Sequence, residues 1–347
     1  MSLLTSLISH QIWLQRTASG EVKDLAPFIR EMRDEIKRQV LLFGDDGRST
    51  ARLNKLLRDL EEALMGLTGD WQTKLAEDLK ELAAYEAEWN VRTLTTNVNA
   101  EFVTPTAEQV WAAAEFQPLS LSDKPVDFAK LMNGWGETEV ARLVTGVKMG
   151  FVQGQTTRQI VKNVVGAGGL ADISERNATT VIRTALSHVS NEARNETYRQ
   201  NDDIIEKYEW VSTLDSRTST ICRARDGMTW EIGKGPMPPA HPNCRSTTAP
   251  VISSEFDFLD KGAKRAAKGA DGGTQVSADT TYYEFLKQQP AWFIDEALGP
   301  VRGKIFRNSG ISPEEFRVIT VDGFGRPLTI KEMAELDKRV ADYLKGD

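Results

Sequence analysis

The sequence predicts an α+β protein, predominantly α-helical, with a small antiparallel β element around one segment rich in proline, histidine and cysteine. Two patterns carry that reading. Apolar residues recur every three or four positions through most of the chain, the period of a helix with one buried face. From Tyr208 the period changes to two, in aromatic and β-branched residues, which is the period of a strand. Helical and strand segments kept apart along one chain make α+β by segregation.

Composition narrows the class. The chain has 347 residues, 40% hydrophobic and 27% charged, which argues against wholesale disorder and fibrous repeats. Mean hydropathy is −0.39, and no apolar run approaches the ~20 residues that span a bilayer. The opening MSLLTSLISHQIWLQ has neither a basic start nor a small-residue cleavage site, so a soluble protein with no signal peptide and no membrane partner is expected. With 43 Lys+Arg against 50 Asp+Glu the net charge is −7, which disfavours general duplex-DNA binding, since phosphate neutralisation supplies most of that affinity. Two cysteines and three histidines exclude a disulfide framework and leave room for one sparse metal site at most.

Residues 1–104 read as a helical hairpin. Leu53, Leu56, Leu57, Leu60, Leu64 and Leu67 share one helix face, and Leu75, Leu79, Leu82 and Trp89 continue the stripe after Gly66 and Gly69. Two antiparallel helices that meet at those glycines are the expectation. Residues 105–136 read as a connector punctuated by proline and glycine, with a short helix TAEQVWAAAEF capped by Thr106. In 137–256 the helical period returns through Val140, Leu143, Val144, Val147 and Phe151, breaks at Gly154 and restarts with Thr156 or Thr157 as cap. A long helix follows Gly168–Gly169, with Ala178, Val181, Ile182, Ala185, Leu186, Val189 and Ala193 as its stripe. Residues 141–200 hold 8 Lys+Arg and 4 Asp+Glu, which a solvated face explains. Strands are expected at Tyr208–Thr213 and Thr248–Ile252, the second confined to an edge or strand end by Pro250. Residues 257–280 read as a flexible Gly/Lys/Ala linker. Residues 281–347 read as a C-terminal helical module, with Gly299–Pro300 and a turn over 321–327 as punctuation.

The informative stretch is Trp210–Ile252, WVSTLDSRTSTICRARDGMTWEIGKGPMPPAHPNCRSTTAPVI. Asp215 and its serines favour a turn after the strand, and Asp226-Gly227 is a turn signal. Pro238, Pro239 and Pro242 stiffen a loop that aims His241, Asn243, Cys244 and Arg245. Three chemistries compete for that loop. Cys222, His241 and Cys244 could hold zinc, but there is no C-x-x-C pair and only Asp215, Asp226 or a distant His188 could be the fourth ligand. A Cys–His nucleophilic pair lacks any visible orienting group or oxyanion-hole motif. The leading reading is structural: two small buried cysteines, a histidine bonded to backbone, and Asp215 or Asp226 paired with Arg217 or Arg245. The Gly166–Gly169 cluster follows no strand, and no HExxH, P-loop or G-x-S-x-G motif occurs.

The order Trp210, Asp215-x-Arg217-Thr218-Ser219, Cys222, Asp226-Gly227, Pro238-Pro239-x-His241-Pro242-Asn243-Cys244-Arg245-Ser246 resembles the bacteriophage Mu F-type minor head proteins, also called head morphogenesis or minor capsid proteins. The resemblance centres on residues 137–252. The helices before it fit the family's usual lead-in, and the tail from Tyr283 resembles a module often found behind this domain. Some members carry a C-x-x-C or a closing C-R-C where this chain has Ser219 and Ser246, which further weakens zinc. The resemblance implies a low-copy structural protein of a tailed-phage virion. It would sit with the portal inside the capsid and contact scaffold or major capsid protein. It would assist head assembly, with ejection alongside DNA in some relatives. No catalytic residue, metal or cofactor is expected. Two other readings stand beside it. One is a phage-linked effector or enzyme acting through Cys222, His241 and Cys244. The other is an internal virion protein that contacts packaged DNA through the basic block and Lys261, Lys264, Arg265 and Lys268.

Overall fold

The computed structural model describes residues 2–45, 49–121, 124–252 and 262–346. Two long helices, α1 (Leu3–Phe43) and α2 (Thr50–Val98), lie against each other. Leu14, Leu25, Ile29, Ile36 and Val40 of α1 and Leu60, Leu64, Trp71, Leu75 and Leu79 of α2 are buried in one core. The expected break at Gly66 and Gly69 does not occur, and α2 runs through both. Leu64, Thr68, Trp71 and Leu75 stay in phase on the buried face while Gly66 points to solvent. A helical glycine costs only ~1 kcal/mol against alanine, too little to break a helix held by that much packing. The hairpin is therefore α1 against α2, not two halves of residues 50–98.

In 105–136 the short helix stands where it was expected, while a longer helix already begins at Phe128. Thr106 and Gln109 form a reciprocal capping box at the start of α3 (Ala107–Phe116). A short antiparallel pair follows, β1 (Leu119–Leu121) and β2 (Lys124–Val126). Val140, Leu143, Val147 and Phe151 are buried on α4 (Phe128–Val152), and Thr156 makes a second capping box before α5 (Thr157–Val165). At the centre runs α6 (Leu170–Arg199), in contact with α1 through α5. Its predicted stripe is buried, but so are Ser187, His188, Asn191 and Arg194 on its other sides. Arg194, one of the six arginines of that nominally basic block, is fully enclosed and donates to the Thr247 hydroxyl.

The small sheet has strand order β4-β3-β5, from β3 (Ile205–Val211), then α7 (Thr220–Arg225), β4 (Thr229–Glu231) and β5 (Thr247–Ile252), with both pairings antiparallel. β5 is an edge strand, which is where Pro250, opposite Tyr208, is tolerated.

The linker expectation is corrected over 264–277, where β6 (Lys264–Gly269) pairs with β7 (Gly272–Ser277); residues 257–261, Lys261 among them, lie outside the described ones. Ala263, Arg265 and Ala267 all point inward at period two. The strand escaped notice because its central inward residue is charged. This hairpin bonds to two other parts of the fold: Thr5 Oγ1 of α1 donates to Lys264 O at 2.8 Å, and Lys268 N to Leu214 O at 2.8 Å. Six short helices close the chain, α8 (Tyr282–Lys287), α9 (Ala291–Leu298), α10 (Pro300–Asn308), α11 (Pro313–Val318), α12 (Ile330–Leu336) and α13 (Lys338–Gly346). They enclose Tyr283, Phe285, Phe293, Phe306 and Phe316. Val321 and Pro327 bridge across the expected turn.

Candidate functional site

The residues singled out between Trp210 and Arg245 converge on the end of the small sheet. Trp210 is fully buried on β3 and packs with Cys222, Ala240 and Cys244. Its indole N–H donates to Ser212 Oγ at 3.0 Å, and the Arg225 guanidinium lies 5.1 Å from its ring centroid. Ser212 in turn donates to Cys222 O at 2.8 Å. The strand end, α7 and the loop that bears the second cysteine thus share one buried centre.

Two carboxylates anchor that centre, and each has an arginine. Asp215 takes a two-pronged contact from Arg245, Nη1 to Oδ2 at 2.6 Å and Nη2 to Oδ1 at 2.9 Å. Its Oδ1 also accepts from Arg217 N at 3.0 Å and Thr218 Oγ1 at 3.2 Å. Burial pushes the Asp215 carboxyl up, but the Arg245 contacts and these hydrogen bonds outweigh it and hold the group below the usual carboxylate range. Arg217, by contrast, is 75% exposed and reaches Asp215 only at 3.9 Å. Of the two candidate arginines, Arg245 is the partner.

Asp226 finds a partner the sequence did not point to. Arg265 of β6 donates to Asp226 Oδ2 at 3.1 Å and Oδ1 at 3.0 Å, to Ser212 O at 2.6 Å and to Thr280 O at 3.0 Å. Both side chains are essentially unexposed. Arg265 had been a candidate for DNA contact; its burial removes it from that surface. Gly227 follows with φ +77, a left-handed conformation that favours glycine, and its N–H donates to Trp210 O at 2.9 Å.

The proline loop is held to α6. Asn243 sits at φ +58, its N–H donates to Thr184 Oγ1 at 3.1 Å and its Nδ2 to Thr180 Oγ1 at 3.2 Å. The Pro238–Pro239 peptide is cis, and both prolines are buried, whereas Pro242 is exposed. Within this frame Cys222 Sγ lies 3.3 Å from His241 Nε2 and 3.7 Å from Cys244 Sγ. Burial pushes the Cys222 thiol up, while the hydrogen bond from Cys222, helped by His241, pulls the Cys244 thiol down. Both sulfurs belong to buried residues, 1% exposed, and the adjoining cavity of about 40 Å³ is too small for an organic substrate.

Residues 141–249 match the family model described as phage Mu protein F like protein. Over this segment the chain is similar to the Mu F-like proteins. The matched range takes in most of α4, all of α5 and α6, the three-stranded sheet up to Ala249, the Asp215–Arg245 pair, Asp226 and the Cys and His cluster. No curated protein and no solved structure shows significant similarity to the chain. Two of the cluster's supports lie outside the match. Arg265 comes from the hairpin, and Tyr282 of α8 donates its hydroxyl to Asp215 O at 2.7 Å. A hydropathy pattern carries no signal for either, because a buried arginine counts as polar and a tyrosine at a helix start as ordinary core.

Proposed function

We propose that the chain is a minor structural protein of a tailed-phage head, associated with the portal inside the capsid and not acting as an enzyme. The carrying observation is the Mu F-like match over 141–249, in which Asp215, Asp226 and Ser212 are committed to hydrogen bonds within the fold. A nucleophile needs access to a substrate, and neither cysteine has it. The portal-facing surface is assigned to the N-terminal helices, because α6 is buried over Thr184–Asn195 while α1 and α2 present Ile12, Trp13 and Tyr85, with Trp13 and Tyr85 ring centroids 5.0 Å apart. Exposed aromatic clusters of this kind are favoured at protein–protein contacts.

Quantitative peptide mass spectrometry on DNA-filled particles, and on particles after DNA release, tests the proposal. A fixed ratio to the portal protein in filled particles is expected, and loss on release adds ejection with the DNA. Absence from filled particles overturns it. Trp13→Ala with Tyr85→Ala should reduce portal co-purification at least tenfold while leaving the folded chain intact by circular dichroism; unchanged co-purification sinks the surface assignment.

A further inference from the structure

From the geometry of the loop we infer that Cys222, His241 and Cys244 form a zinc site, completed by a water molecule in the small cavity beside them. All three ligand atoms lie within 4.8 Å of one another. A tetrahedral ion with Zn–S near 2.3 Å and Zn–N near 2.0–2.1 Å needs ligand edges of about 3.8 Å between sulfurs and about 3.6 Å from sulfur to nitrogen. The edges here are 3.7 Å and 3.3 Å. Both edges at Cys222 are thus within a few tenths of an ångström of what the ion needs, and the third, from Cys244 to His241, is no longer than 4.8 Å. A disulfide, by contrast, needs the sulfurs to close to about 2.05 Å.

The histidine is prepared for the role. His241 Nδ1 lies 2.9 Å from the Pro242 carbonyl oxygen, and a carbonyl can only accept. Nδ1 therefore carries the proton, which leaves the Nε2 lone pair of the neutral ring facing Cys222 Sγ. A metal-ligating histidine is oriented by such a bond through its other nitrogen. The missing C-x-x-C pair also has a substitute. His241-Pro-Asn-Cys244 places its ligands at the same spacing, and the turn is closed by Cys244 N donating to His241 O at 3.1 Å. Asn243 at φ +58 makes that turn possible.

Among the described residues, no protein group takes the fourth position. Asp215 is committed to Arg245, Asp226 to Arg265, and His188 bonds the Ala114 carbonyl at 2.8 Å inside the helical core. The cavity of about 40 Å³ is lined by Cys222 and His241 together with hydroxyl and amide side chains and with Arg217 and Arg245, the latter neutralised by Asp215. It is roomy and polar enough for a water. Two thiolates neutralise the dication, their protons leave to solvent on binding, and soft sulfur with imidazole selects zinc over magnesium or calcium. Such an ion would tie α7 to the proline loop.

The test is metal analysis of the untagged full-length chain after exposure to one equivalent of zinc under reducing conditions. About one zinc per chain is expected. Cobalt added to chelator-stripped protein should give the intense visible bands of a tetrahedral thiolate site. Cys244→Ser and His241→Ala should each lower zinc affinity more than tenfold, and His188→Ala should not. Since those variants could unfold, the wild-type result stands alone. Less than a tenth of a zinc per chain, with both thiols reduced by titration and the circular dichroism of the folded chain retained, overturns the site. Copper or iron in place of zinc overturns the choice of metal.

Discussion

The helical body and the Mu F-like motif are held together by different physics. In the body, α1, α2, α4 and α6 meet through leucine, isoleucine, valine and alanine stripes that make one continuous core. In the motif, the buried apolar cluster is four residues, Trp210, Cys222, Ala240 and Cys244, and most of the definition comes from Asp215–Arg245, Asp226–Arg265 and the serine and threonine hydroxyls. Apolar packing is non-directional, so many residues of similar volume serve. A buried charge accepts one geometry and few partners. The body should therefore tolerate substitution, and the motif should not.

The sharpest way to break the comparison is Arg265→Ala. It leaves Asp226 buried without its counter-charge and should cost ~3–5 kcal/mol, measured by urea unfolding. Adding Asp226→Asn should recover part of that loss, since an amide needs no counter-charge. If Arg265→Ala costs under 1 kcal/mol, the motif is not held by its ion pairs and the contrast fails.

Next is a matched pair of substitutions. Leu60→Ala in the body should cost ~2–5 kcal/mol, and Leu60→Met less than ~1.5 kcal/mol because volume is kept. Arg245→Lys keeps its charge but loses the two-pronged contact to Asp215. It should destabilise the chain more than Leu60→Met does. The reverse order would show that charge alone, not fork geometry, matters at Asp215.

This difference also decided what could be read from the chain. The periodic stripes made α4, α5 and α6 legible, along with the caps at Thr106 and Thr156, because helix geometry repeats in sequence. Gly66 and Gly69 misled because a local penalty was weighed without the tertiary packing at Trp71 and Leu75. The motif was legible as a set of residues but not as a set of pairs. Asp226 and Arg265 are 39 positions apart, and nothing local ties them. The hairpin was missed for the same reason, since its inward arginine erased the hydrophobic alternation that marks a strand.

A subtler contrast lies within α6, where polar burial intrudes on the body. Burial lowers the His188 pKa from 6.5 to about 4, only partly offset by the Ala114 carbonyl. One turn on, burial raises the Glu192 pKa from 4.5 to about 7. Between pH 4 and 6.5 the unfolded chain binds a proton at His188 that the folded chain does not, so this group makes stability rise with pH. Between pH 4.5 and 7 the folded chain keeps a proton at Glu192 that the unfolded chain releases, so this group makes stability fall. The two slopes oppose one another. Each is worth up to ~3 kcal/mol across its window. His188→Gln should steepen the fall of stability with rising pH relative to wild type, and Glu192→Gln should steepen the rise. Unfolding curves at pH 4.5 and pH 7 for the three proteins decide this, and parallel shifts without a change of slope would refute it.

The smallest effect tests whether the connector belongs with the body or with the motif. Thr106 Oγ1 accepts from Gln109 N at 3.2 Å, and Gln109 Oε1 accepts from Thr106 N at 2.8 Å. These bonds are exposed and local, and they satisfy two N–H groups that the first turn of α3 cannot pair internally. Behind them, Val110 and Ala114 fix α3 to the core by apolar contact. Thr106→Ala should thus cost about 1 kcal/mol, with no change in the denaturant dependence of unfolding. A loss above ~3 kcal/mol would exceed what a cap supplies. It would mean that α3, like the motif, depends on a directional polar network that its short apolar stripe does not reveal.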